Sequence, residues 1–354
     1  MALTHTPPSY MRAVLLTGHG GFERLKHVDN LPVPQPAAGE VLVRIHAAAI
    51  NNTDINLRSG WYSSSVTQGT DGTAKQPGAR AEDAGWDGEP IAFPRIQGAD
   101  GCGEIAAVGP GVDTKLAGAR VLLNPVIGVN YLGTDRDGCF AEYVALPASN
   151  ALPIHSTLTD IELAAFPCSC LAAENMLARA SVVSGEAVLV TGASGGVGTA
   201  AIQLARRRGA RVYALAGNGK AAALLALGAD RVIARDADLV AELNNEAIDV
   251  AIDCVGGAQF ASLLRVLRRH GRYAVAGAIA GPMVQLDLRV LYLKDLSLLG
   301  CTLPGPAVFK DLIGYIERGE IKPAIASVYP LHDMVAAQQA FLAKQHVGKI
   351  VLKI

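Results

Sequence analysis

The sequence predicts an α/β protein in which a β-rich first domain precedes a doubly wound nucleotide-binding domain. Three observations carry this: a strand, glycine turn and helix in succession at residues 187–208, strand–helix alternation after it, and short strands punctuated by Pro and Gly before residue 150. The central unit reads AVLVTGASGGVGTAAIQLARRR. A β-type run, Ala187 to Thr191, leads through Gly192, Gly195, Gly196 and Gly198 into a segment with Val197, Ala201 and Leu204 on one helical face. Glycines let the backbone turn sharply and approach a pyrophosphate, while the free N–H groups and positive end of the helix stabilise its charge. Ser194, Gly195, Gly196 and Val197 are therefore candidate phosphate contacts, the alternative being an α/β turn that binds nothing.

The elements that follow support the nucleotide reading. Gly209 ends the helix, Arg211 to Leu215 reads as a second strand, and Lys220 to Leu227 as a second helix stopped by Gly228. Strands at Ala187, Arg211, Arg231, Ile248 and Gly271 alternate with helices near Gly198, Lys220, Asp238 and Gln259, and Leu296 to Thr302 supplies a sixth strand. That alternation is the signature of a doubly wound parallel sheet. An NAD site ordinarily carries an acid about 20 residues past the glycines, to bind the ribose 2′-hydroxyl. No acid occurs between Glu186 and Asp230; Gly217, Asn218, Gly219 and Lys220 end the second strand, and Arg235 follows the third. Small and basic groups suit a 2′-phosphate, so NADPH is the expected cofactor, the alternative being that Lys220 and Arg235 are solvated surface cations.

In the first domain the clearest strands are Met11 to Leu16 and Glu40 to Ala48, the latter with alternating Val41, Val43 and Ile45, and Pro32, Pro34, Pro36 and Gly39 mark turns. Further short runs lie at Ala99 to Gly109, Ala119 to Leu123 and Gly138 to Leu146. Between Ser63 and Pro94 the pattern vanishes, which predicts a long loop, either a lid beside the active site or a plain surface insertion. Helical character begins at Thr159 and continues past Ala172 to Leu177. The tail predicts helices over Val308 to Gly319 and Leu331 to Gln345, then a strand, Lys349 to Leu352, returning to the first domain. The expected division is 1–157, 158–303 and 304–354.

At 354 residues the chain suits two domains, and its half-apolar composition can fill large cores. A net charge of −1 gives no reason to expect nucleic acid or an anionic membrane as partner. The longest uncharged run, Ala187 to Ala205, is the glycine turn itself and a poor membrane span. With no basic segment leading into an apolar core at the start, a cytoplasmic location is expected. The six cysteines are scattered, as expected of reduced thiols, and the one close pair, Cys168 and Cys170, is too tightly spaced for a zinc knuckle.

Four stretches together resemble the medium-chain dehydrogenase/reductase superfamily: Ala49 to Tyr62 (AINNTDINLRSGWY), Gly98 to Glu104 with Val108-Gly109, Thr191 to Gly198, and Gly348 to Leu352 (GKIVL). The resemblance covers nearly the whole chain and is closest to the zinc-independent branch, the quinone oxidoreductases and enoyl-thioester reductases. It implies a GroES-like β-rich catalytic domain joined to a Rossmann nucleotide domain. Zinc enzymes of the superfamily hold their metal with a Cys, a His-Glu pair and a second Cys; the matching places here are Asn51, Ala99-Asp100 and Cys168. A catalytic zinc needs about three protein ligands, so no metal is expected. The four-cysteine structural-zinc lobe is also missing, since Asn124 to Asp137 contains no Cys.

Without a Lewis acid, another group must stabilise or protonate the oxyanion formed as hydride arrives. The resemblance implies that role for Tyr62, with Asn51, Thr53 and Asp54 either polar neighbours of the nicotinamide and substrate or structural caps; packing of the domain cleft is the alternative for Trp61 and Tyr62. By position, Val275 to Ala278, including Gly277 and Ala278, and Leu299 to Thr302, including Cys301 and Thr302, pass along the nicotinamide, and Asp253 to Gly257 lies near the ribose, each being equally readable as a plain strand end. The expected activity is NADPH-dependent reduction of a quinone or an α,β-unsaturated carbonyl, with Tyr62 or water supplying the proton. A zinc-dependent alcohol dehydrogenase and an NADPH-binding protein without turnover are the competing readings. The apolar sixth strand, at a sheet edge, predicts a homodimer paired through it.

Overall fold

The computed structural model describes residues 7–70, 72, 75–243 and 247–354. In the nucleotide domain six parallel strands lie in the order Arg231–Ala234, Arg211–Ala216, Ala187–Val190, Ile248–Asp253, Leu267–Val275, Ser297–Gly300. This is the doubly wound order, with the first strand at the point where the sheet reverses direction. Ala187–Val190 is buried throughout because both its faces are covered. Val188 and Val190 join the core under helix Gly196–Arg207, while Ala187 and Leu189 join the opposite core with Leu263, Leu264 and Val266.

The first domain is built on Glu40–Ala49, whose long strand pairs antiparallel with Asp100–Val108, with Tyr143–Pro147 and with Lys349–Lys353. The expected return of the tail is thus made, and Ile325–Pro330 pairs parallel to Lys349–Lys353 outside it. Of residues 304–354, however, only the part from Ile325 crosses back. Helix Val308–Glu317 instead packs on helix Pro167–Arg179, burying Phe309, Leu312, Ile313 and Ile316 in a core that Leu122 of the first domain shares. The helical stretch from Thr159 is two helices, Asp160–Leu163 and Pro167–Arg179, because Pro167 cannot continue the first but fits the opening turn of the second. Among the described residues, 160–179 is the one stretch long and apolar enough to cross a membrane, and most of it is packed inside the fold.

Several elements go beyond the sequence reading, among them the strands Leu25–Pro32 and Ile325–Pro330 and the helices Asn52–Ser59 and Leu288–Leu293. The segment 63–94 is irregular apart from a 3-10 turn, Ala81–Asp83, with residues 71, 73 and 74 outside the described residues. All six cysteines are free, five of them buried.

Candidate functional site

The glycine turn stands where Ala187–Val190 hands over to helix Gly196–Arg207. Two of its glycines are demanded by close approach. A Cβ on Gly198 would lie 2.4 Å from the Gly192 carbonyl oxygen, and one on Gly196 would lie 2.5 Å from Ser169 Oγ and 2.6 Å from Lys349 Cδ. Beside the turn, Lys220 Nζ donates to Ser194 Oγ at 3.1 Å and to the Lys344 carbonyl at 2.7 Å. The Arg235 backbone N–H bonds the Ala216 carbonyl, setting Arg235 at the end of the second strand. Burial, and secondarily the Arg235 charge, lower the Lys220 pKa. Crowding and the Lys220 charge bring Lys344 down to about 8. Among the described residues no carboxylate forms an ion pair with Lys220, Arg235 or Lys344. Three cations without a counterion beside a helix N-terminus are complementary to a phosphate. Lys344 was not found in the sequence because it lies 124 residues from Lys220.

The structure gathers the remaining nucleotide residues at the carboxyl ends of the strands. Gly217 and Asn218 form the turn after Arg211–Ala216, and Val197 opens the phosphate-facing helix. Gly277 and Ala278 follow Leu267–Val275, joined to the neighbouring strand end by the Ala276 N–H to the Asp253 carbonyl at 3.1 Å and the Ala280 N–H to the Val255 carbonyl at 2.8 Å. Asp253 fixes that corner. Its carboxylate accepts from Tyr273 OH at 2.5 Å, from the Val255 N–H at 2.8 Å and from the Thr191 hydroxyl. Thr302 is exposed, whereas Cys301 is buried, with its N–H donating to the Val275 carbonyl at 2.9 Å.

In the first domain Asn51 caps helix Asn52–Ser59, and Asp54 reaches back to accept from the Asn51 N–H at 2.7 Å. Burial pushes Asp54 up to about 7, against the pull of that bond and of Lys349. Asp54 is therefore the structural cap among its two readings. Asn51 is held as firmly: its Nδ2 donates to Asp100 Oδ2 at 2.8 Å and its Oδ1 accepts from Lys349 Nζ at 2.6 Å. The Asn51 amide positions charged neighbours rather than facing open space. Lys349, unassigned in the sequence although it stands in the GKIVL motif, also donates to Asp100 Oδ2 at 2.8 Å and to the Ile50 carbonyl at 2.9 Å. Both members of this ion pair are buried, Lys349 at 4 % and Asp100 at 0 % exposure. Asp100 Oδ1 accepts from the Cys168 N–H at 2.6 Å.

This donor set does not suit zinc. Asp100 is committed to an ammonium, an amide and a backbone N–H, and Ala99 offers no donor. Burial and the Asp100 charge push the Cys168 thiol up to about 12, and it sits 3.2 Å from Tyr131 OH.

Above Cys168 runs a row of rings. Trp86 stacks on Tyr131 with centroids 5.1 Å apart and planes at 21°, Tyr62 meets Trp86 edge-on at 5.3 Å, and Trp61 meets Tyr62 edge-on at 5.5 Å. Both tryptophans of the chain are in this row. Burial raises the Tyr62 pKa above its ordinary value, against hydrogen bonds to Asn56 and Thr53, so the phenol stays protonated. The segment 63–94 therefore lies on the site. It supplies Trp86, and its Thr70 N–H bonds the Ile279 carbonyl of the nucleotide domain at 3.0 Å.

Comparison with known proteins matches both domains of the fold. Residues 37–156 match the family model of the alcohol dehydrogenase GroES-like domain, and residues 196–318 that of the zinc-binding dehydrogenase. The chain is 29% identical to an acryloyl-coenzyme A reductase of Metallosphaera sedula, covering 97% of this chain and 99% of that one. It is also 29% identical to a quinone oxidoreductase of Rattus norvegicus, over 98% and 99%. A solved Sinorhizobium meliloti protein, provisionally described as an alcohol dehydrogenase, is 47% identical over 99% of this chain and 98% of its own, with a TM-score of 0.89.

Proposed function

The chain belongs to the medium-chain dehydrogenase/reductase superfamily, in its quinone oxidoreductase-like branch, and from that premise we propose that it reduces a quinone or an α,β-unsaturated carbonyl with NADPH and without zinc. The observation that carries the reading is the buried Lys349 ammonium, held by Asn51 and Asp100 among the residues where a catalytic metal would need its ligands. A bound nicotinamide supplies hydride to the electrophilic carbon. The protein does the rest. Ser194 to Val197 seat the pyrophosphate at the helix N-terminus, and Lys220 with Arg235 meets the 2′-phosphate. The backbone from Val275 to Ala278 and at Cys301–Thr302 borders the nicotinamide. Tyr62 OH, protonated and beside Asn56, hydrogen-bonds the developing enolate oxygen and delivers the proton.

The test is a spectrophotometric screen of NADPH oxidation against quinones, enones, enoyl thioesters and simple ketones. Turnover of the conjugated substrates is expected, and a protein that oxidises NADPH with none of them refutes the reading. The same screen separates the competing alcohol dehydrogenase, which the names of the S. meliloti structure and of the 196–318 family model favour. Prolonged chelation is expected to leave the rate within about twofold; stoichiometric zinc lost together with activity would establish the zinc enzyme instead.

Assembly follows from the sheet edge. Ser297–Gly300 has a partner on one side only, and beside it Leu288, Tyr292 and Leu293 are exposed at 64, 61 and 57 % on a helix with no buried residue. An open strand flanked by apolar side chains is a pairing template. The reading is a two-fold dimer with the nucleotide domains central. Wild type is expected to sediment as a dimer at micromolar concentration and Leu298→Lys as a monomer, and a monomeric wild type would rule the dimer out.

A further inference from the structure

The Trp86 indole lies in a slot of particular shape. Tyr131 forms its floor, nearly parallel and anchored by its hydroxyl to Cys168, and Tyr62 closes one side with its ring at 74° to the indole. The floor is fixed, because Tyr131 is buried and its backbone N–H is held by Asp135 at 2.7 Å. The occupant is not. Trp86 is half-exposed, and every hydrogen bond of residues 85–92 among the described residues closes within that segment: Gly85 N–H to the Glu89 carbonyl, Gly88 N–H to the Gly85 carbonyl, and Glu89 N–H to Asp87. Among the described residues the tip makes no hydrogen bond to the body of the protein, and the Tyr131 and Tyr62 rings hold the indole.

We propose that the Tyr131–Tyr62 slot is the binding place of a flat, fused-ring carbonyl substrate, and that Trp86 is a plug of matching shape which such a substrate displaces. This rests on the reductase reading for the chemistry and deepens it by naming the substrate's shape. A ring seated on Tyr131 lies against Tyr62, the group that delivers the proton, whereas an acyclic enone makes neither the stack nor the displacement worthwhile. Each aromatic pair favours the plugged arrangement by roughly two- to tenfold, so the two pairs of Trp86 together divide the apparent affinity for a competing ring by roughly 5 to 100. A substrate ring regains similar contacts with Tyr131 and Tyr62, which makes exchange feasible.

The test is equilibrium binding of 9,10-phenanthrenequinone to the protein loaded with NADP+, in which no turnover occurs. Trp86→Ala is expected to bind the quinone at least about fivefold more tightly than wild type, and Trp86→Phe, which keeps a flat plug, to stay within about twofold. Weaker or unchanged binding by Trp86→Ala means that Trp86 is a wall or a bystander and overturns the proposal. A second measurement needs no variant. The quinone should speed chymotryptic cleavage after Trp86 in wild type by releasing the tip, and protection there overturns the plug. Failure of the reductase reading looks different: the quinone binds and exchanges with Trp86, yet no NADPH is oxidised.

Discussion

Replacing Lys349 with methionine is expected to cost about 3–5 kcal/mol of stability near pH 8, the range for removing one partner of a buried ion pair. The ammonium binds Asp100, Asn51 and the Ile50 carbonyl, and the carboxylate it leaves behind is fully buried. Urea midpoints of variant and wild type measure the loss. The double variant Lys349→Met with Asp100→Asn should recover much of it, since no uncompensated charge then remains. A single variant as stable as wild type would show that the pair is not the keystone its geometry indicates.

Lys220→Ala is expected to raise the KM for NADPH by about 10- to 100-fold while changing that for NADH less than about threefold. A hydrogen bond to a charged group contributes about 1.5–3 kcal/mol, and tenfold corresponds to about 1.4 kcal/mol. Lys220 already donates to Ser194 and, among the described residues, has no carboxylate paired with it, so a phosphate is its natural counterion. Initial rates with both cofactors decide the matter. Equal effects on the two, or a wild-type preference for NADH, would remove Lys220 from the 2′-phosphate.

The parts of this molecule legible in the sequence are those written as local period. The parallel strands alternate side chains between two apolar cores, the helices between them carry one apolar face, and the glycine turn sits at the join, so both the sheet and the phosphate-binding end could be read. Helix Asn52–Ser59 could not, because its sequence NTDINLRS has too few apolar residues to show a helical stripe. Its buried face is polar instead. Arg58 is wholly buried, donating to the Gly20 carbonyl, to Gln338 and to Gly72 and lying 4.4 Å over the Phe22 ring. Those partners are spread over more than 300 residues of sequence. The edge strands Leu25–Pro32 and Ile325–Pro330 are half solvated and carry a weak apolar signal. The centre of the site was hidden for the same reason as Arg58. Asp100 and Lys349 are ordinary surface residue types, and only their meeting across 249 positions makes them a buried pair.

The strand Lys349–Lys353 has a consequence for how the protein is made. It lies between Glu40–Ala49 and Ile325–Pro330 inside the first domain's sheet, yet it is synthesised about 300 residues after the strand beside it. At a ribosomal rate of about 5–20 residues per second, the amino-terminal sheet waits roughly 15–60 s with the Ala47–Ala49 end of its long strand paired on one side only and Asp100 lacking its cation. The nucleotide domain emerges complete within that interval, so it is the unit equipped to fold first. The first domain's sheet is closed only when Lys349 arrives.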